Sequence, residues 1–343
     1  MASLNSGVTG ALTQHRDAIE AALQSALFTE PGAEPEIVGA ARYVMGWQDA
    51  TGQSTPGGGG KRIRPALTVV AAEIFGGFVA DALPGAVAVE LVHNFSLVHD
   101  EIQDQDDVRH GRPTAYTVWG AGQAINLGDF LYGRALRALS GGSGPGDRRL
   151  AALDVLLRAI EGMIGGQWRD IAFESRDGVG VPEYLQMVEG KTGVLLGAAL
   201  EMGAILGGAT RADAAVMGQW GVKLGLAFQA VDDYLGIWGD AALTGKTTTG
   251  DIARKKKTLP ILHGLADPKA GPVIRAAYAA DRQLDELPAI VAALQTAGGD
   301  VLCRDTARRF AAEAESLLPQ LHLSEDARIA LREVAGYFCD RDF

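Results

Sequence analysis

Apolar residues recur at helical spacing from one end of this chain to the other, and strand-like alternation is nearly absent. Leu150 to Ile164, Gly193 to Leu206, Ala214 to Val231 and Ile329 to Phe338 are alanine- and leucine-rich runs of this kind. Breaks are expected at Thr51 to Gly60, Gly141 to Asp147, Asp177 to Pro182, Thr244 to Gly250 and Asp267 to Gly271, where turn-forming residues cluster. The pattern predicts an all-α chain of about a dozen helices. With 47% hydrophobic residues in 343, it can bury a large core, and no linker divides it. One domain over residues 1–343 is therefore expected.

Other features exclude function classes. A net charge of −11 argues against nucleic acid as a partner. The two cysteines, Cys303 and Cys339, have neither metal-ligand spacing nor a disulfide framework and read as ordinary thiols. The N-terminus opens on polar residues without a signal-type apolar core, and no uninterrupted apolar span reaches bilayer length. A cytoplasmic protein without a membrane span is expected.

Charge is densest in LVHDEIQDQDDVRHGRPT, Leu97 to Thr114. On a helix, Asp100 and Asp104 stand one turn apart on one face, with Glu101 and Asp107 near. Like charges at that spacing repel unless a cation lies between them. Mg²⁺ takes one or two such carboxylates and completes its shell with water and substrate phosphate. The plain alternative is a solvated acidic helix end. The apolar run before it, Ala86 to Leu97, should be buried, which favours carboxylates opening into a cavity.

A second pair, Asp232 and Asp233, follows the apolar run Val222 to Val231, with Asp240 downstream. Alone it reads equally well as a salt-bridge partner. Cations complete the picture. Gly57 to Gly60 lead directly into Lys61, Arg62 and Arg64, while Lys246 and Arg254 to Lys257 follow the second acidic pair. The glycine run lacks the spacing of a Walker loop or a dinucleotide fingerprint. Cations opening a helix after it read as an anion site.

These segments together resemble the trans-isoprenyl diphosphate synthase (polyprenyl synthetase) family. The matches are GGGGKRIRP, HNFSLVHDEIQD with RHGRPT, GGQWRDI at Gly165 to Ile171, the KTG of Lys191 to Gly193, FQAVDD and TGK…GDIARKKKTLP, in the family's order over about residues 57–262. The resemblance implies a single-domain antiparallel helical bundle around a central substrate cavity, the isoprenoid synthase type. It implies an Mg²⁺-dependent prenyltransferase, with about three ions per site held by Asp100, Asp104 and Asp232. Isopentenyl diphosphate is the nucleophile and an allylic diphosphate (dimethylallyl, geranyl or farnesyl) the electrophile. By the same carry-over Arg109, Lys191, Thr192, Lys246 and Lys256 contact the allylic diphosphate. Lys61, Arg64 and His93 hold isopentenyl diphosphate, and Gln229 lies near the second metal site. A homodimer is also implied.

Each assignment competes with a plainer one. His93 could be a core histidine without the motif around it. His99 and His263 read as structural, Lys255 and Lys257 as solvated, and Trp119, Trp168 and Trp238 as packing residues. Three positions depart from the family pattern. Glu101 replaces an aspartate with charge kept, so little effect is expected. Gly236 stands where the second motif usually ends in aspartate. His110 stands where a second arginine commonly grips isopentenyl diphosphate, and histidine is a weaker, pH-dependent donor. A terpene cyclase on the same scaffold and a non-catalytic partner of a sister synthase therefore remain open. Retention of Lys61, Arg64 and His93 argues against the first, and retention of Asp100, Asp104, Asp232, Lys191 and Lys246 against the second.

Counting back one turn from Asp100 places Ser96 and Phe95 towards the end of a product tunnel. A bulky Phe95 beside a small Ser96, without an insertion between Asp100 and Asp104, resembles short-chain synthases making geranylgeranyl diphosphate, with farnesyl diphosphate as the alternative.

Overall fold

The computed structural model describes residues 10, 13–28, 33–55, 59–109, 111–239, 252, 255–279 and 287–339. They form helices almost throughout and divide into two compact units. The first gathers the described residues of Met1–Ile160 and Ala198–Met217, the second those of Glu161–Gly197 and Gly218–Phe343. The boundaries fall inside three helices, α7 (Gly146–Ser175), α9 (Val194–Gly207) and α10 (Arg211–Trp238). Among the described residues, no helix is long and apolar enough to cross a membrane.

The first unit begins with α1 (Arg16–Phe28), α2 (Pro35–Val44) and α3 (Ile63–Ile74), followed by the long α4 (Val79–Gln103). Then come α5 (Ala115–Trp119) and α6 (Ala121–Gly141). Helix α4 is the hub, packing chiefly against α6 and α3 and also against α1. Its apolar residues do not make a narrow stripe. Ala82, Val87, Val89, Leu91, Val92 and Phe95 are all buried, so most of its circumference is covered, as for a central helix. Fully buried leucines such as Leu67, Leu91 and Leu131 each contribute about 1.5–3 kcal/mol of transfer free energy. The acidic motif thus hangs from the end of a well-anchored rod.

A small hairpin follows that rod. Strand β1 (Val108–Arg109) pairs antiparallel with β2 (Arg112–Pro113), with Arg109 opposite Arg112. Apart from an isolated bridge between Gln48 and Ser54, it is the only strand pairing among the described residues. Period-two alternation could not reveal strands of two residues.

In the second unit, α8 (Val181–Val188) leads through a single π turn, Glu189–Gly193, into α9. Later elements are α11 (Leu259–Ala266), α12 (Ala270–Ala279), α13 (Leu287–Thr296), α14 (Gly299–Glu315) and α15 (Glu325–Cys339). One core joins Phe173, Tyr184, Leu226, Val231, Leu259 and Phe310, and a second joins Ile237, Ile261, Ile274, Ile290 and Leu294. Of the expected breaks, Gly141 to Asp147, Asp177 to Pro182 and Asp267 to Gly271 fall between helices. Thr244 to Gly250 lies outside the described residues. The run from Gly193 is the one whose helical form differs, because it opens on the π turn.

Candidate active site

In the first unit, Asp100 and Asp104 are stacked one turn apart, the Asp104 amide donating to the Asp100 carbonyl at 2.8 Å as α4 ends. Both are half-buried. The hairpin returns Arg109 over them. Its Nη2 lies 3.5 Å from Asp100 and 3.8 Å from Asp106, and its Nε 3.2 Å from Glu101. The repulsion expected within the cluster is thus met by a guanidinium.

Glu101 is set apart from the other carboxylates of the cluster by its burial. It is 6% exposed, and burial pushes its pKa up while the Arg109 charge draws it down. It serves as the buried partner of Arg109, so shortening it to aspartate would pull it away from that cation.

His93 lies half-buried on α4, two turns before Asp100. Lys61 is exposed and Arg64 half-buried, with the Arg64 Nε shut from solvent and lacking a hydrogen-bond partner. An orphaned donor of that kind suits an anion. Arg62 faces the other way, into ion pairs with Glu20 and Glu90 at 2.8 Å each, and leaves the group of available cations. Phe95 is buried against the rings of His99 (5.0 Å) and Tyr132 (5.4 Å), while the Ser96 hydroxyl donates to the His93 carbonyl at 2.8 Å. His99 lies 3.2 Å from the Ile125 carbonyl, in keeping with a structural role. His110 lies outside the described residues.

In the second unit the KTG motif occupies the π turn, a distortion frequent at functional sites. Lys191 donates to Asp170 of the GGQWRDI motif at 2.6 Å. Gly166 of that motif makes the approach possible, since a Cβ there would lie 2.2 Å from the Lys191 backbone nitrogen. Thr192 donates to the Gln229 side-chain carbonyl at 3.4 Å, and the Gln229 amide donates to Asp233 at 3.0 Å. Asp232 is half-buried, whereas Asp233 is 3% exposed. Asp233 also accepts from the Tyr184 hydroxyl at 2.6 Å and the Leu259 amide at 3.1 Å.

Burial pushes the Asp233 pKa up to about 7 against the pull of those three donors, with the neighbouring Asp232 charge adding to the rise. The two aspartates therefore differ in post. Asp233 ties α8, α10 and the start of α11 together, while Asp232 keeps a half-exposed carboxylate. Lys256 is half-buried beside this start, and Lys246 and Asp240 lie outside the described residues.

Two expectations are corrected. Lys257 is not merely solvated, because its ammonium donates to the carbonyls of Phe173 and Arg176 at 2.6 Å each and so closes the end of α7. Trp168 is not packed, being 77% exposed. Trp119 meets the Tyr43 ring edge-on at 5.2 Å, and Trp238 lies tilted against Tyr234 at 5.5 Å. The His263 ring lies 2.9 Å from the Ala297 carbonyl. Asp170 was within reach of the sequence, inside a motif already singled out. Tyr184 was not, since a lone tyrosine on an apolar helix carries no signal.

Among the described residues, no three His, Cys, Asp or Glu side chains converge as a ready-made metal cage. Magnesium commonly needs fewer, one or two carboxylates with water and substrate phosphate. The paired oxygens of Asp100 and Asp104, and separately Asp232, fit that demand.

Comparison with known proteins agrees with this chemistry. Residues 47–294 match the polyprenyl synthetase family. A (2E,6E)-farnesyl diphosphate synthase of Mycobacterium bovis is 38% identical over 314 residues, 90% of this chain and 87% of its own. A geranylgeranyl diphosphate synthase of Mycobacterium tuberculosis is 39% identical over 304 residues, 86% of this chain and 84% of its own. The crystal structure of a polyprenyl synthetase from Streptomyces coelicolor superimposes with a TM-score of 0.89 at 38% identity, covering 96% of this chain and 99% of that one.

Proposed function

The chain belongs to the polyprenyl synthetase family and is a prenyltransferase, and from that premise we propose how its residues divide the work. It condenses an allylic diphosphate head-to-tail with isopentenyl diphosphate, giving geranylgeranyl or farnesyl diphosphate. The observation that carries the assignment is the half-buried Asp100–Asp104 stack with Arg109 returned over it.

The family is magnesium-dependent. When bound, magnesium offsets the charge that builds on the leaving diphosphate as the allylic C–O bond ionises. Asp100 and Asp104 would hold it in the first motif, and Asp232 is the carboxylate of the second motif suited to the same task. Arg109, Lys191, Lys246 and Lys256 bind the allylic diphosphate. Transfer of Arg109 from its carboxylates and of Lys191 from Asp170 to the diphosphate would supply two cations, each about a quarter exposed. Thr192 and Gln229 orient the same substrate, and the chain from Thr192 through Gln229 to Asp233 fixes which way the Gln229 amide points. Lys61, Arg64, His93 and His110 bind isopentenyl diphosphate and hold its alkene for attack on the allylic cation.

The chain acts as one catalytic domain, in the cytoplasm, as a homodimer. Support for the dimer comes from α7, which leaves Leu150, Leu157, Ile164, Trp168 and Ile171 between 37% and 77% exposed at near-heptad spacing. Purified protein incubated with Mg²⁺ and an allylic diphosphate, with and without isopentenyl diphosphate, tests the reading. Linear diphosphates made only with both substrates are expected. Hydrocarbons made from the allylic substrate alone would instead identify a cyclase, and no product without a sister enzyme a regulatory subunit.

A further inference from the structure

The segment that carries Lys61 and leads into Arg64 at the start of α3 is clasped by α1. Arg16 of α1 donates to the Gly60 carbonyl at 3.1 Å. One turn later Glu20 accepts from the Arg62 Nε at 2.8 Å, and its other oxygen accepts from the Trp47 indole at 2.8 Å. The remaining Arg62 nitrogens donate to Glu90 of α4 at 2.8 Å and to the Met45 carbonyl at 2.9 Å. Glu90 sits on α4 one turn before Asn94, which donates to it at 3.3 Å, and three residues before His93.

Arg62 makes these bonds from a left-handed backbone, φ 47°, unusual for a residue with a side chain. That twist turns Arg62 inward between an exposed Lys61 and a half-buried Arg64. Gly59 is shaped to the same purpose. Its φ is +112°, and a Cβ there would lie 2.8 Å from Arg62 Nη2 and 3.2 Å from the Glu20 carboxylate.

We propose that Arg16, Glu20 and Arg62 are positioning residues for the isopentenyl diphosphate site. They form a clip that fixes the backbone of the Gly59–Arg62 loop at its entry into α3, so that Lys61 and Arg64 are held in register with His93. This rests on the reading of Lys61, Arg64 and His93 given above. The clip need not touch substrate. An anion site built from one cation on a loop and another in the first turn of the following helix works only if the loop keeps its conformation before the anion arrives.

The test uses the full chain, titrated with isopentenyl diphosphate alone by calorimetry, alongside KM for each substrate and a melting curve. Arg62→Met and Glu20→Ala are expected to weaken isopentenyl diphosphate about tenfold while the allylic KM stays within about twofold. Arg62→Lys recovers only part, because an ammonium cannot span Glu20, Glu90 and the Met45 carbonyl together. If Arg62→Met does not fold, Arg16→Ala, at the accessible end of the clip, tests the same effect. Lys61→Ala separates the two levels of the argument. If it weakens isopentenyl diphosphate but folded Glu20→Ala and Arg16→Ala do not, the clip is refuted and the site stands. If Lys61→Ala has no effect, the site assignment fails and the clip with it. A lowered melting temperature with equal loss for both substrates would make the network merely structural and overturn the proposal.

Discussion

Tyr184 donates its hydroxyl to Asp233 at 2.6 Å, two groups from different helices that both lie out of solvent. Both oxygens of Asp233 are engaged, so the carboxylate that sequence reasoning paired with Asp232 does a mechanical task beside it. Tyr184→Phe leaves that buried acceptor one donor short. A loss of about 1–3 kcal/mol in urea denaturation is expected. A variant as stable as the parent would show that the bond contributes nothing.

Loss of a metal-binding carboxylate should appear in rate, not in folding. Asp100→Ala or Asp104→Ala is expected to lower kcat about a hundredfold or more, since diphosphate charge is left uncompensated. Glu101→Asp should lower the melting temperature, because the shorter carboxylate retreats from the Arg109 Nε, which lies 3.2 Å away and is itself shut from solvent. Activity of Asp100→Ala within a few-fold of the parent, in product-formation assays, would sink the metal assignment.

Phe95 and Tyr132 stack beneath the acidic motif, on α4 and α6. Phe95→Ala is expected to lengthen the product, the vacated volume admitting another five-carbon unit. If Phe95 serves only the core, the change costs about 3–5 kcal/mol and leaves chain length alone. Chromatography of the products, with a melting curve beside it, separates the two.

Glu201 gives a pH dependence with a definite sign. Burial raises its pKa, opposed by Arg158 at 3.6 Å. A carboxyl whose folded pKa lies above its unfolded one adds stability below the unfolded pKa, and that stability fades as pH rises through the folded value. Glu201→Gln should therefore gain in melting temperature relative to the parent as pH rises from the ordinary carboxylate range towards neutrality. Arg158 keeps Asp154 at 3.2 Å in the variant. A difference that does not change with pH would contradict the assignment.

Much of this was legible in the sequence, for identifiable reasons. Helical periodicity is local, so α4, α7, α10 and α15 were visible with the breaks between α6 and α7 and between α7 and α8. The acidic motifs were visible because like charges after an apolar run demand an explanation. What stayed hidden depends on contacts distant in sequence. Nothing in KRIR shows that Arg62 turns inward, because Glu20 and Glu90 lie 42 and 28 positions away. Tyr184 and Asp233 are 49 apart. Glu101 looked like a simple stand-in for aspartate until its burial against Arg109 gave it a different task.

Trp168, 77% exposed on the apolar stripe of α7, has a consequence for how the protein can be watched. An indole in water emits at longer wavelength than one in a dry environment, and Trp168 is the most exposed of the chain's five, with Trp220 0% exposed and Trp47, Trp119 and Trp238 half-buried. If two copies meet along α7, the red component shifts to the blue as protein concentration rises, and dilution reverses it. The chain therefore carries its own optical gauge of self-association, readable without a label and erased by Trp168→Phe.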